Sequence, residues 1–240
     1  MFPPSNPMLA DAGRELLRHR LFVVLAAVFL TALLVANMIG GKFFHIGELG
    51  ISCGVIPFPI TFLLTDVVNE YYGRRGARFL TLVGMGMLVF AFVVLQIACA
   101  LPPAANTPIA QDAFVAVFGM SPRFFAASIL AYLLGQLIDI QAFAWFKRIT
   151  QERRLWLRAT GSTAISQVFD TLVVNILALY GASAATGEPI ALSTILGWAG
   201  MAYVYKMIVA VVLTPLLYVA HAVVTDRFGQ RPAAVDAGRD

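Results

Sequence analysis

Ionisable side chains interrupt several long apolar segments of this chain. These segments contain four acids and one base, namely Asp66, Glu70, Asp139, Asp170 and Lys206. Charges at the depth of a lipid bilayer are costly, so those that occur usually face a helix-bundle interior or a water-filled cavity and mark the path of a substrate or ion. One lysine neutralises one acid at most. The unmatched acids therefore predict a bound cation, a shared proton or a ligand rich in hydrogen-bond donors.

Amides accompany these acids at helical spacing, so that each group shares one helix face. The groups are Gln136 with Asp139, Gln167 with Asp170, and Asp66 with Asn69 and Glu70. Asn37, in the first apolar segment, adds a further donor and acceptor. Carboxylates and primary amides suit a nucleobase edge, because they accept hydrogen bonds from ring N–H and amino groups. The alternative to ligand binding is a structural role. Any single one of these residues could hydrogen-bond one helix to another, and Lys206 could simply neutralise one acid.

Aromatic side chains in the same segments could stack on a planar ligand, although packing or a place in the interfacial belt explains most of them. They are Phe58, Phe62, Phe143, Trp145, Phe169, Trp198 and Tyr203.

The composition indicates which elements must position these residues. Apolar residues make up 60% of the chain and charged residues 12%, against about 45–50% and about 25% in soluble domains. This excludes a water-soluble globule, a disordered protein and a disulfide scaffold. The net charge of +4 does not indicate nucleic acid, because the basic residues form short clusters between apolar runs. Cys53 and Cys99 have no metal-ligand spacing, so we predict no metal and no cofactor.

Six apolar segments are each long enough to cross a bilayer, which takes about 20 residues of helix. They are, approximately, 21–40, 51–72, 77–101, 123–146, 160–180 and 193–221. The sequence therefore predicts an all-α integral membrane protein with six transmembrane helices. Lys and Arg cluster in the N-terminal tail, the second and fourth connections and the C-terminal tail. By the positive-inside rule both termini are cytoplasmic, with tails at 1–20 and 222–240 around a six-helix transmembrane domain at 21–221.

The second segment begins irregularly. Gly47, Gly50 and Gly54 precede Pro57-Phe58-Pro59, and each proline removes a backbone donor. Irregular backbone at membrane depth is tolerated where it lines a cavity or is buried in protein. We therefore predict that this helix is broken or re-entrant at its external end. The alternative is a helix that simply starts at Pro57 after an external hairpin.

One block of the second segment carries a specific sequence signature. Residues 58–74, FPITFLLTDVVNEYYGR, resemble the signature of the vitamin-uptake-transporter-like family, whose bacterial members import queuosine precursors. Further matches are Asn37 with Lys42, the stretch 135–139 with Lys147-Arg148, and the stretch 162–171. The resemblance covers nearly everything between the two tails.

The resemblance implies a multi-pass carrier of the bacterial inner membrane and not an enzyme. Its substrates would be 7-cyano-7-deazaguanine (preQ0) and 7-aminomethyl-7-deazaguanine (preQ1), taken up for tRNA queuosine synthesis. Its partners would be this small molecule and the lipid bilayer, without nucleic acid, and a homo-oligomer is left open. The hypothesis for the site is that Asp139, Asp170, Gln136 and Gln167 contact the base edge. The predicted site also includes Asp66, Asn69 and Glu70, which would form its cytoplasmic half or a gate. Lys206 would hold one acid ionised. Asn37 is a further member of the predicted site.

Three alternatives stay open. The solute could be another vitamin or nucleobase-like molecule, or the chain could be a membrane subunit that transports nothing. The stretch 50–54, Gly-Ile-Ser-Cys-Gly, also matches the GxSxG motif of a rhomboid-like intramembrane serine protease. That chemistry needs a histidine within hydrogen-bond reach of Ser52. His221 lies at the far end of the sixth segment and His45 in the same external hairpin.

Overall fold

The computed structural model describes residues 7–40, 42–46, 49–119, 122–150, 155–180 and 190–228. Most of these residues are helical. The elements in chain order are α1 (Pro7–Ile39), β1 (Phe43–Ile46), β2 (Leu49–Ser52), α2 (Phe58–Ala100), α3 (Gln111–Phe118), α4 (Pro122–Ile149), α5 (Leu155–Leu179) and α6 (Leu192–Phe228). Four stretches of the described chain are long and apolar enough to cross a membrane: Glu15–Ile39, Cys53–Ala100, Gln111–Ile149 and Leu192–Thr225. The chain is a multi-pass, predominantly α-helical membrane protein.

Helix α2 is divided by a sharp break at Gly73. The backbone of Gly73 has φ 68° and ψ −178°, a conformation that is essentially restricted to glycine. We call residues 58–72 α2a and residues 74–100 α2b. At one end of α2a, Arg18 of α1 donates a hydrogen bond to the carbonyl of Tyr71. At the other, Ser52, which precedes α2a, donates to the carbonyl of Gly40. Helix α2a therefore runs antiparallel to α1.

Helix α2b runs in the same direction as α1. The ring of Phe22 lies 6.3 Å from that of Phe79, and further along both helices the side chains of Phe29 and Leu33 pack against Gly84. Since α2a runs the other way, α2a and α2b form a helical hairpin that turns at Gly73.

The remaining long helices are antiparallel to their neighbours in sequence. Arg123, in the first turn of α4, donates to the carbonyl of Leu177 at the end of α5. Near the start of α5, the hydroxyl of Thr160 lies 3.3 Å from that of Thr214 in the second half of α6. These contacts place the end of α4, the start of α5 and the end of α6 on the same side of the bundle.

Helix α2a lies at the centre of the bundle. Every residue from Leu64 to Tyr71 is buried, and a helix that is buried all round must be surrounded by other elements. One apolar cluster packs Leu64 and Val68 against α1, α2b and α4. A second cluster packs Val67 and Tyr71 against α4, α5 and α6. Polar residues of α2a are therefore held inside the bundle and not at its surface.

The start of α2 differs from the predicted broken or re-entrant segment. The described residues there form the antiparallel hairpin of β1 and β2, in which Phe43 pairs with Ser52, followed by a 3₁₀ turn over Cys53–Val55. The helix then begins at Phe58, one residue after Pro57. This is the alternative of a helix that starts after a hairpin, and it fits the preference of proline for helix beginnings. The break in α2 lies at Gly73, at the opposite end of the segment.

Candidate functional site

Helix α2a brings three of the predicted site residues into the bundle: Asp66, Asn69 and Glu70 are all buried. They lie within about one helical turn of each other, so the regular helix gives them a common face. Asn69 Nδ2 donates to the carbonyl of Ile140 at 3.3 Å, which ties α2a to α4. This polar face is directed toward α4 and α5.

Glu70 forms a buried ion triad with cations from two other helices. Its Oε1 lies 3.2 Å from Arg158 Nη2 of α5, and its Oε2 lies 3.2 Å from Lys147 Nζ of α4. The guanidinium carbon of Arg158 also lies 5.8 Å from the centre of the Phe143 ring. Arg158 is only 2% exposed. The triad therefore joins α2a, α4 and α5, and it gives Glu70 two partners where the sequence analysis found none.

Lys206 forms the second ion pair of the bundle. Its Nζ lies 2.6 Å from Asp170 Oδ2, donates to Thr171 Oγ1 at 3.3 Å, and sits 4.9 Å from the centre of the Phe58 ring. Lys206 is thus paired with one buried acid, as both the structural alternative and the site hypothesis expect. The pair joins α5 to α6, and the nearby ring links it to the beginning of α2a.

Asp66 and Asp139 have no cation at ion-pair distance among the described residues. Asp139 Oδ1 accepts a hydrogen bond from Ser166 Oγ at 3.1 Å, whereas its Oδ2 and Asp66 Oδ1 are buried without a hydrogen-bond partner. Gln136 Oε1 and both side-chain amide atoms of Gln167 are also buried without a hydrogen-bond partner. Buried polar atoms are nearly always paired in folded proteins. These atoms are therefore candidates for contact with a proton, an ion or a ligand.

A cleft that is open to the surroundings runs between α2a, α5 and α6. Its polar lining includes Asp66, Thr163, Gln167 and Lys206. Its wall at the start of α2a is aromatic, since Phe58 also lines it. The ring of Phe58 packs edge to face on Phe62, another lining residue, with ring centres 4.9 Å apart. The cleft therefore combines a cation, a carboxylate, an amide and an aromatic wall.

The structure separates the predicted site residues into three groups. Those that line the cleft are Asp66, Gln167 and Lys206. Those that are buried but do not line it are Asn69, Glu70, Gln136, Asp139 and Asp170. Asn37 is apart from both groups. It lines a different cleft between α1, α2b, α3 and α4, and its Oδ1 accepts from Ser128 Oγ at 3.3 Å.

Most of the candidate stacking aromatics lie away from the cleft. Trp145, Phe169 and Trp198 are about half exposed on the outside of the bundle, where lipid would surround them. Phe143 is buried in the second apolar cluster, and Tyr203 donates to the carbonyl of Ala164. Phe58 and Phe62 are the predicted stacking residues that reach the cleft.

The serine-protease alternative finds no support among the described side chains, which include His221 but not His45. Ser52 Oγ donates to the carbonyl of Gly40 at 2.6 Å and caps the 3₁₀ turn by accepting from the Gly54 amide. His221 Nδ1 instead lies 2.8 Å from the hydroxyl of Tyr71. Ser52 and Tyr71 lie at opposite ends of α2a, which is about 22 Å long at about 1.5 Å per residue. His221 therefore does not reach Ser52.

Comparison with known proteins identifies the family. Residues 52–220 match the profile of the family described as "Putative vitamin uptake transporter". The chain belongs to the vitamin uptake transporter family. The matched range contains every predicted site residue except Asn37. The family is named for transport and not for catalysis, in agreement with the prediction that the chain is not an enzyme.

Three curated relatives carry names that refer to queuosine precursors. A "Probable queuosine precursor transporter" of Bacillus subtilis is 35% identical over 147 residues, which cover 61% of this chain and 64% of the relative. The "Queuosine precursor transporter" of Escherichia coli is 32% identical over 53% of this chain and 54% of the relative. A "Probable queuosine precursor transporter" of Haemophilus influenzae is 28% identical over 53% of this chain and 51% of its own length. The chain thus aligns with roughly half to two thirds of these relatives. No solved structure matches it.

Arg158 and Lys147 could not be recognised as members of the buried cluster from the apolar segments alone, which place both cations in a cytoplasmic connection. In the structure α4 continues to Ile149 and α5 begins at Leu155, so both cations lie on helices. The apolar run from Leu155 to Leu157 directly before Arg158 was the available signal, since it indicates that the next helix has already begun.

Proposed function

We propose that this member of the vitamin uptake transporter family is an inner-membrane carrier that imports queuosine precursors, preQ0 or preQ1, into the cytoplasm for tRNA queuosine synthesis. The names of its curated relatives support the substrate class. The chemistry of the cleft between α2a, α5 and α6 supports it independently. The observation that carries the proposal is that Asp66 and Gln167 line one cleft while keeping buried polar atoms without partners.

These unpartnered atoms complement the edge of a 7-deazaguanine. Asp66 accepts hydrogen bonds from the ring N–H and the exocyclic amino group, and the Gln167 amide donates to the ring carbonyl oxygen. Phe58 and Phe62 provide the aromatic wall against which the planar base stacks. A site built to satisfy such groups rejects analogues that leave them unpaired, because each unsatisfied buried group costs roughly 1–3 kcal/mol.

The buried residues behind the cleft hold the substrate-binding side chains in place. They do not contact the substrate themselves in this arrangement. Asp139 and Gln136 lie on α4, and Asp170 holds Lys206 at the cleft wall. Glu70, with Lys147 and Arg158, closes the cytoplasmic side of the bundle as a gate. Asn37 does not belong to this site, because it lines the other cleft.

The proposed topology has six membrane-spanning segments with both termini in the cytoplasm. The segments are α1, α2a, α2b, α4, α5 and α6, and the antiparallel contacts between successive segments support this arrangement. The six segments make up the transporter domain 21–221, although helix α1 already begins at Pro7 and α6 continues to Phe228. The clusters of Lys and Arg then lie on the cytoplasmic side, as the positive-inside rule requires.

Uptake by cells that cannot synthesise deazaguanines tests the function. Labelled preQ0 and preQ1 are supplied to cells that express the parent, Asp66→Asn, Gln167→Leu or the control Asp112→Asn, an exposed acid of α3. We expect saturable uptake by the parent and the control. Loss of one charge-assisted contact in the Asp66 variant lowers uptake at subsaturating substrate by roughly 10-fold or more.

Two results would contradict this proposal. Equal uptake by the parent and both cleft variants, at equal membrane levels, removes Asp66 and Gln167 from the site. Absence of uptake of either compound by well-inserted parent protein removes the substrate class. Uptake of labelled guanine and other labelled bases then identifies whether a different nucleobase-like solute is carried.

A further inference from the structure

The ionisable groups inside the bundle do not balance. The described residues place four carboxylates there, Asp66, Glu70, Asp139 and Asp170, against three cations, Lys147, Arg158 and Lys206. With every group in its usual charged form the bundle interior carries one excess negative charge. An uncompensated charge in a low-dielectric interior is strongly unfavourable. One further positive charge is therefore required.

The excess charge is localised at Asp66 and Asp139. The other two acids are held by cations at 2.6–3.2 Å. Asn69, one turn from Asp66 on α2a, donates to the carbonyl of Ile140, which follows Asp139 on α4, so the two acids lie on adjoining turns of packed helices. Asp139 is fully buried, and its carboxyl group accepts a hydrogen bond from the hydroxyl of Ser166. Two nearby carboxylates that lack a cation of their own tend to share a proton.

The hydrogen bonds around Asp139 fit a carboxyl group that holds a proton. Its Oδ1 accepts from Ser166, whereas its Oδ2 has no partner although it is buried. The buried amide of Gln136, one turn away on the same face of α4, has an unpartnered Oε1 that can accept a hydrogen bond. The fully buried amide of Gln167, next to Ser166 in sequence, is also unpartnered. A protonated carboxyl would donate to such an acceptor, whereas a carboxylate has no donor.

We propose that Asp139 binds one transported proton, which it shares with Asp66, and that the carrier couples substrate uptake to this proton. The proposal deepens the proposed function and rests on it for the identity of the substrate. With the proton on Asp139, Asp66 stays ionised and accepts from the N–H groups of the base. Substrate affinity and proton affinity thereby reinforce each other, because linkage between two ligands is reciprocal.

The helices packed against this pair carry further charged groups. They are Glu70 on α2a, Lys147 on α4, Arg158 and Asp170 on α5, Lys206 and His221 on α6, and Arg18 on α1. Glu70 and Asp170 are fixed in ion pairs, and His221 is hydrogen-bonded to Tyr71 at the cytoplasmic ends of the helices. The cleft reaches Asp66, which gives the pair a route to water.

Infrared difference spectroscopy on the substrate-free protein in lipid tests the proton site without any substrate. Spectra recorded across a pH titration are compared for the parent, Asp139→Asn and the control Asp112→Asn. We expect a protonated-carboxyl C=O band that titrates in the parent and the control and is absent in Asp139→Asn. A band that persists unchanged in Asp139→Asn, or the absence of any such band in the parent, overturns the assignment of the proton.

Transport in proteoliposomes tests the coupling. We expect an inward proton gradient to accelerate preQ1 or preQ0 uptake by the parent, with proton entry that depends on substrate. In Asp139→Asn, gradient-driven accumulation falls at least 10-fold, while exchange of internal for external substrate at equal pH continues. Exchange in the variant shows that it is folded. Uptake driven equally well without a proton gradient, or driven by sodium, overturns the coupling. Absence of exchange in the parent instead overturns the proposed substrate.

Discussion

The two ion clusters of the bundle differ in what a change to them would do. Lys206 and Asp170 form a pair at the cleft wall, where the side chain of Lys206 remains 16% exposed. Glu70 is enclosed by Lys147 and Arg158, and its side chain is 3% exposed. Removing one partner of a buried ion pair is costly because it leaves a charge without compensation. Loss of the acid of the Glu70 triad should therefore change the stability of the protein by a different amount from loss of one of its bases.

We expect Glu70→Gln to destabilise the protein far more than Arg158→Met. The Gln variant leaves two buried cations without an anion, at a cost of roughly 3–5 kcal/mol. The Met variant leaves the pair of Glu70 with Lys147 intact and fills much of the volume of the arginine side chain. Thermal unfolding of detergent-solubilised protein measures the difference. Glu15→Gln, at an exposed position of α1, is the control and should unfold like the parent. Equal destabilisation by both triad variants would contradict the asymmetry.

At the scale of elements, the hairpin of α2a and α2b determines where the polar residues lie. The turn at Gly73 directs α2a through the middle of the bundle, so that Asp66 and Glu70 meet α4, α5 and α6. A conformation with φ 68° and ψ −178° is accessible to glycine because it has no Cβ atom. The position of the site therefore depends on one residue outside it.

We expect Gly73→Ala to destabilise the fold by about 1–3 kcal/mol, because alanine must adopt a conformation that L-residues avoid. Gly86→Ala is the matched control, since a Cβ at this helical position of α2b meets no atom within 4 Å. Alanine at a helical position is favoured over glycine by about 1 kcal/mol, so the control should be neutral or slightly stabilising. Thermal unfolding and yield of folded protein measure both variants. A Gly73 variant as stable as the Gly86 variant would show that the turn does not require glycine.

The positions of the helices could be predicted from the sequence because apolar runs of membrane length are a strong signal. The predicted segments 77–101 and 123–146 correspond to α2b and to α4, which spans Pro122–Ile149. The pairing of Lys206 with a buried acid could be predicted because it is the one base identified among four acids in the apolar segments. The conformation of Gly73 could not be predicted, because it depends on how two helices pack. Arg158 and Lys147 were missed because apolar content defines a helix end poorly where cations are buried by ion pairing.

In the proposed topology, the number of membrane crossings depends on the hairpin at Gly73. Hydropathy alone treats Cys53–Ala100 as one stretch, whereas the contacts of α1 with both halves of α2 require two antiparallel segments. The α2b segment of residues 74–100 is about 40 Å long at about 1.5 Å per residue. In the proposed topology its two ends therefore lie on opposite sides of a hydrocarbon core of about 30 Å.

Single cysteines at the two ends of α2b test this topology. In a chain carrying Cys53→Ala and Cys99→Ala, we introduce either Arg75→Cys or Ala105→Cys, both at exposed positions. A membrane-impermeant thiol reagent should label position 105 in intact cells and position 75 only after the membrane is permeabilised. This result follows if the arginines at 74, 75 and 78 are held in the cytoplasm. Labelling of both positions in intact cells, or of position 75 alone, would contradict the proposed orientation, and failure to label position 75 after permeabilisation would place Gly73 inside the membrane.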